Sequence, residues 1–210
     1  MEILQIVLLS LRVSATASIL SFILGFIISY FLFINNFKGK KFLIDIITAL
    51  TGVPTVIFGL IILLMLSRKG PLGPLGLLFT PTAIIIAQFF LLLPLIITLS
   101  LELFLGKGSE LIELTQLLYI PKKKIPYLFF KELKKPLITI FFLGFSRAIS
   151  EVGAVSLVGG NIEGETRVMT TYIALSTSMG NYNTSIILGW ILFGISFSIN
   201  FILKKGAKND

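Results

Sequence analysis

Five runs of about 20 mostly apolar residues organise this 210-residue chain, at 13–34, 42–66, 80–103, 136–158 and 184–203. At 1.5 Å rise per residue, a helix of that length crosses a hydrocarbon layer of roughly 30 Å. The first run has a weaker apolar lead-in from Ile3 that contains Arg12. It is too long, and too poor in basic residues at its start, to read as a cleavable signal peptide. The fold class is therefore all-α and integral to the membrane, with about five transmembrane helices in a single domain spanning 1–210.

Composition agrees. Hydrophobic residues make up 55% and charged residues 13% of the chain, and mean hydropathy is +0.98. A soluble domain carries about 25% charged residues, so much of this surface must face something other than water. There is no cysteine and no histidine. Their absence removes disulfides, thiolate and imidazole metal ligands and the commonest general base, which disfavours an enzyme. The net charge of +8 raises the question of a nucleic-acid partner, but the lysines sit in particular connections, as membrane topology requires.

Those connections predict orientation. Lys38, Lys40 and Lys41 follow the first run. Lys107, Lys122, Lys123, Lys124, Lys131, Lys134 and Lys135 fill the third connection, and Lys204, Lys205 and Lys208 end the chain. The second connection carries Arg68 and Lys69; the fourth carries Arg167 with Glu163 and Glu165. The positive-inside rule puts the lysine-rich connections and the C-terminus in the cytoplasm, and the N-terminus outside. An odd number of spans satisfies all of them. No internal repeat is visible, so an inverted-repeat secondary transporter finds no support.

The segment 109–135 reads as two short helices. Ser109 is a plausible N-cap, and Glu110 and Glu113 suit the positive end of a helix. Pro121 breaks the run, and Pro126 lies near the start of the second piece. Leu111, Leu114, Leu117, Leu118, Tyr119, Phe129 and Phe130 interrupt the charges. Such an amphipathic hairpin suits docking, either on a lipid surface or in a partner's groove. The string GKGS at 106–109 is no phosphate loop, since glycine follows the lysine and a membrane span precedes it.

Arg147 and Glu151 are four apart, so on a continuous helix they share a face and can pair. Counted from Pro136, Arg147 falls near mid-membrane. An unpaired charge there costs from ~3 to more than ~10 kcal/mol. Gly144, Ala148 and Ala154 are placed on the same face, where a second helix could approach. A pathway or gating role and a packing role are both open. The connection 159–183 gathers Gly159, Gly160, Asn161, Thr166, Arg167, Thr170, Thr171, Ser176, Thr177, Ser178 and Asn181. It fits either a re-entrant segment lining a cavity or a solvated loop.

Two long stretches bear a family likeness. "RAISEVGA…VGGNI…TRVMTT…AL" and "GVPTVIFGLIILLMLSRKGPLGPLGLLFTPTAIIIAQ" resemble permease subunits of the tungstate and molybdate branch of ABC importers, tungstate-type permeases above all. The position of 104–135 is similar to the loop whose coupling helix enters the ATPase in that family. Glu113 takes the place of the motif's glutamate, with Leu114 and Thr115 where small residues usually stand and Tyr119 where glycine usually stands. The resemblance implies an importer type I permease fold and ATPase contacts at Glu110, Glu113, Leu114, Thr115, Leu118 and Tyr119. It also implies a translocation pathway or gate near Arg147, Glu151, Gly159, Gly160, Asn161 and Arg167. The implied partners are two ABC ATPase subunits in the cytoplasm, an external oxyanion-binding protein and a second copy of the chain. No cofactor, metal or nucleic acid would be bound by this chain, and ATP would be hydrolysed elsewhere. The implied mechanism is alternating access in the cell membrane. Selectivity among tungstate, molybdate and sulfate would reside in the binding protein. Within the family the alternative is a molybdate or sulfate permease. The competing classes are a small dimeric secondary transporter, which would work without ATP, and a lipid-modifying membrane enzyme, for which the acids are too scattered.

Overall fold

A computed structural model describes residues 2–207, apart from the side chains of Glu2, Lys122, Asn200 and residues 202–207. Lys208, and the side chains of Lys204 and Lys205, thus lie outside the described residues. The described chain is helical and contains no strand. Three helices are long and apolar enough to cross a membrane, at Ile3–Ile34, Pro81–Leu117 and Tyr182–Ile199, and two sharply bent helix pairs raise the number to as many as five.

The helix α1 (Glu2–Ile34) takes in the whole lead-in, Arg12 included, so the first span begins earlier than its hydropathy. Ser10, Ser14, Ala17, Ser18 and Ser21 are buried along one side of it. Their spacing near four residues makes a face of small side chains, which lets a neighbouring helix come close. Ser10, Ser18 and Ser21 donate to the carbonyls of Ile6, Ser14 and Ala17 at 2.7, 2.7 and 2.8 Å. Their hydroxyls are thereby satisfied without water.

The second apolar run is not one helix. It forms α2 (Lys40–Leu50) and α3 (Thr55–Leu66), which meet at 99°. Pro54 stands at the N-cap of α3. It lacks an N–H for a continuing helix and pushes the preceding residue out of the helical region.

At the centre lies α4 (Pro81–Leu103), which touches α1, α2 and α3 and both of the helices that follow the hairpin. Thr80 caps it by accepting from the Ala83 N–H. Its end is not where the sequence suggested. A π-helical turn, Phe104–Gly108, carries it directly into α5 (Ser109–Leu117). Ser109 is therefore inside a helical run and not its cap, and its hydroxyl donates to Gly106 O at 2.8 Å. After a short turn, α6 (Ile125–Glu132) leads into α7 (Lys134–Ile149).

The fourth apolar run also bends. Between α7 and α8 (Gly153–Gly159) the chain turns by 60°. The distal halves of the two bent pairs pack on each other, α3 against α8. Gly59 makes this possible: a methyl there would lie 2.5 Å from Ala154 Cα. Finally α9 (Met169–Ser178) packs against α10 (Tyr182–Ala207). The outward surfaces carry large apolar side chains, among them Leu20, Ile23, Leu60, Leu64, Trp190 and Phe193, as a multi-pass membrane protein requires.

Candidate functional site

The bends of the two broken spans come a similar distance along each pair. Lys41 lies near the start of α2 and Lys135 near the start of α7. Thr51 is roughly 15 Å beyond the first and Arg147 roughly 18 Å beyond the second. Around them is a cavity of about 290 Å³, where Thr51, Thr55 and Arg147 face Val53, Phe58 and Leu91. Arg147 is exposed, and its guanidinium makes no ion pair or hydrogen bond among the described residues.

The Arg147–Glu151 pair expected from the spacing does not form. The helix stops at Ile149, so the two residues do not share a helical face. Glu151 instead turns inward and is buried. Its Oε1 accepts from the Ala154 N–H at 3.1 Å, capping the first turn of α8, and its carbonyl accepts from Thr170 Oγ1 at 2.7 Å. Nor do Gly144 and Ala148 lie on the arginine's side. Both are buried: Gly144 faces Ile96, and the Ala148 carbonyl accepts from Gln88 Nε2 at 2.9 Å. Ala154 belongs to the α3–α8 contact. The small residues bring helices together as expected, but within the chain and away from Arg147.

Gln88, buried in α4, also reaches Ser14 Oγ at 3.4 Å. A single amide therefore ties α1, α4 and α7. A lone glutamine in an apolar run was the visible signal for it, and sequence reading passed it over. Thr51 and Thr55 were missed too. The mid-span Gly52–Val53–Pro54 break that positions them is their only mark in the sequence.

The segment after α8 knits itself together. Gly160 has φ +69° and lies under the Phe79 ring, and Gly159 faces Ile84. Asn161, itself at φ 51°, accepts from Thr171 Oγ1 at 2.9 Å. Thr166 accepts from the Ile162 N–H at 2.9 Å and donates to Gly159 O. Arg167 pairs with Glu163 at 3.2 Å and stands 4.6 Å from the Tyr172 ring centre. These hydroxyls and amides satisfy irregular backbone. Glu151, Gly159, Gly160, Asn161 and Arg167 do not line the cavity that holds Arg147.

In the hairpin, Glu110, Glu113, Leu114, Leu118 and Tyr119 are exposed, while Thr115 is buried. The end of α5 is a Schellman turn: Ile120 N–H donates to Thr115 O at 2.9 Å and Tyr119 N–H to Gln116 O at 3.1 Å. That turn needs a left-handed residue, usually glycine. Tyr119 occupies it at φ 51° with its ring 93% exposed. Beneath the hairpin, Phe129 and Phe104 are fully buried. Their rings meet edge to face at 5.5 Å, and Phe26, Tyr30 and Phe33 of α1 surround them at 5.6–6.4 Å.

Among the described residues, no three acidic side chains come together as a metal site would need. No family model matches the chain. Individual proteins do. The chain is 44% identical over 202 residues to the tungstate uptake system permease protein TupB of Peptoclostridium acidaminophilum, covering 96% of this chain and 89% of that protein. It is 38% identical over 170 residues to the protein of the same name from Campylobacter jejuni, covering 81% and 71%. A probable anion ABC transporter permease of Haloferax volcanii is 37% identical over 201 residues, covering 93% and 87%.

Proposed function

Because the chain belongs to the ABC anion-importer permeases, the family of the tungstate uptake permeases, we propose that it is the membrane-spanning subunit of a tungstate importer. The observation that carries this reading is likeness from end to end at 44% identity. On this reading residues 1–210 are one transmembrane domain of five spans, each bent helix pair counting as one. The N-terminus is outside, and the lysine-rich connections and C-terminus are cytoplasmic. Two copies form the passage.

ATP is hydrolysed by two separate ATPase subunits, and the chain needs no cofactor of its own. An external binding protein selects the oxyanion and delivers it. The exposed hairpin supports the coupling role: Glu110, Glu113, Leu114, Leu118 and Tyr119 present mixed charge and apolar surface to a partner, and the buried Thr115 holds the turn that displays them. Nucleotide-driven closure of the ATPases moves the hairpin and biases the spans between inward- and outward-open arrangements.

The test is uptake into vesicles holding the whole complex, with binding protein supplied on the side it serves. Tungstate should accumulate only when ATP is present on the ATPase side. Accumulation without ATP would favour a secondary transporter, and the reading would fall.

A further inference from the structure

We propose that Arg147, with Thr55 beside it, is a transient binding site for a tetrahedral dianion halfway across the bilayer. The proposal rests on the importer reading and names a place where the permease itself holds the cargo.

The charge is available. Arg147 makes no ion pair among the described residues. Glu151, whose Oε1 lies with Thr55 Oγ1 beside Gly153 (3.6 and 3.5 Å from the position of an added Cβ), is hydrogen-bonded to the α8 backbone at 3.1 Å, which offsets part of its charge. Thr55 Oγ1 likewise makes no hydrogen bond among the described residues, whereas Thr51 already donates to Thr48 O at 2.7 Å. Arg147 and Thr55 line the same cavity, whose volume of about 290 Å³ leaves room for an anion with some of its water.

The walls add to the effect. Val53, Phe58, Leu91 and Leu95 supply apolar, low-dielectric surface, which focuses the field of one fixed charge. Helix α3 also starts there, with no side chain capping it, and its positive end adds to the same field. A guanidinium fork can hold two oxygens of one tetrahedral anion at once.

Depth gives the site its use. An arginine about 18 Å in from the lysine-bearing end is far from either surface of a layer roughly 30 Å thick. Its guanidinium is therefore within reach of water or cargo, and not of headgroups. One arginine and one hydroxyl make a weak site, and a conduit must let go of what it binds. Such a site recognises charge and shape, so it leaves the choice among oxyanions to the binding protein.

The experiment measures tungstate imported per ATP hydrolysed, using the full complex in vesicles. Arg147→Gln should lower that ratio about tenfold or more, Arg147→Lys should keep most of it, and Thr55→Val should fall between them. If Arg147 merely braced the fold, import and hydrolysis would decline in step and the ratio would stay put; an unchanged ratio in Arg147→Gln overturns the proposal. Should that variant fail to assemble, Thr55→Val decides alone, and a wild-type ratio there overturns it. A wild-type complex that imports no tungstate with ATP overturns the importer reading and the site together, so the two failures are distinct.

Discussion

At the residue scale, Glu151 and Arg147 do not make the pair that their spacing suggests. A carboxylate buried in a membrane protein needs donors, and Glu151 finds one in the first turn of α8. Glutamine offers the same acceptor oxygen without the charge, and leucine offers none. Glu151→Gln should therefore assemble and melt close to wild type. Glu151→Leu should leave the Ala154 N–H buried and unsatisfied, at a cost of about 1–3 kcal/mol, read as a lower Tm of the purified complex. Equal melting of the two variants would remove the capping role. The sequence marked both residues as unusual, because charge inside an apolar run is expensive. It could not say how they were used. Spacing of four implies a shared face only if the helix continues, and this helix stops at Ile149. Thr55 was hidden for a different reason: it belongs to another span, and only the fold brings it to Arg147.

At the scale of elements, hydropathy located all five apolar runs but was blind to their direction. A run of apolar residues has the same mean hydropathy straight or bent, so the 99° and 60° turns left no trace in it. The local signals were present: Gly52 and Pro54 in one run, Gly153 in the other. The distal halves of the two bent pairs, α3 and α8, pack on each other. Gly59 is the tightest point of that meeting, and the atom a methyl would strike is backbone, which cannot rotate away. Gly59→Ala should thus push the two helices apart and cost about 1–3 kcal/mol. Thermal unfolding of the complex, with Gly189→Ala as a control at a position open to added atoms, checks this. Equal Tm values for the two variants would mean that the α3–α8 contact yields more easily than its geometry implies. The hairpin was legible as two helices with an exposed mixed face. Its continuity with α4 was not, because Ser109 reads as an N-cap, whereas here a π-helical turn carries α4 straight into α5.

At the scale of the whole molecule, the importer reading asks how motion at the exposed hairpin would reach the spans. The hairpin is linked to them by the π-helical turn into α4, by the run of α6 into α7, and by the ring cluster in which Phe129 of α6 meets Tyr30, Phe33 and Phe104, with Phe26 against Phe104. A π-turn alone is a weak lever, because such turns are places where helices readily rearrange. The ring cluster is close-packed, so it passes displacement to α1 without slack. Removing the Phe129 ring leaves a cavity at this joint. Phe129→Ala should destabilise the complex by roughly 3 kcal/mol and, at temperatures where it remains assembled, lower import per ATP hydrolysed. Phe129→Leu refills much of the space and should restore most of both. The exposed Phe130, whose one ring contact among the described residues is Phe26 at 6.0 Å, makes a useful contrast, and Phe130→Ala should change the ratio little. If Phe129→Ala lost stability but kept the wild-type ratio, the cluster would be a prop only, and the transmission of force would have to run through the chain itself, by the turn between Phe104 and Gly108 or by the junction of α6 with α7.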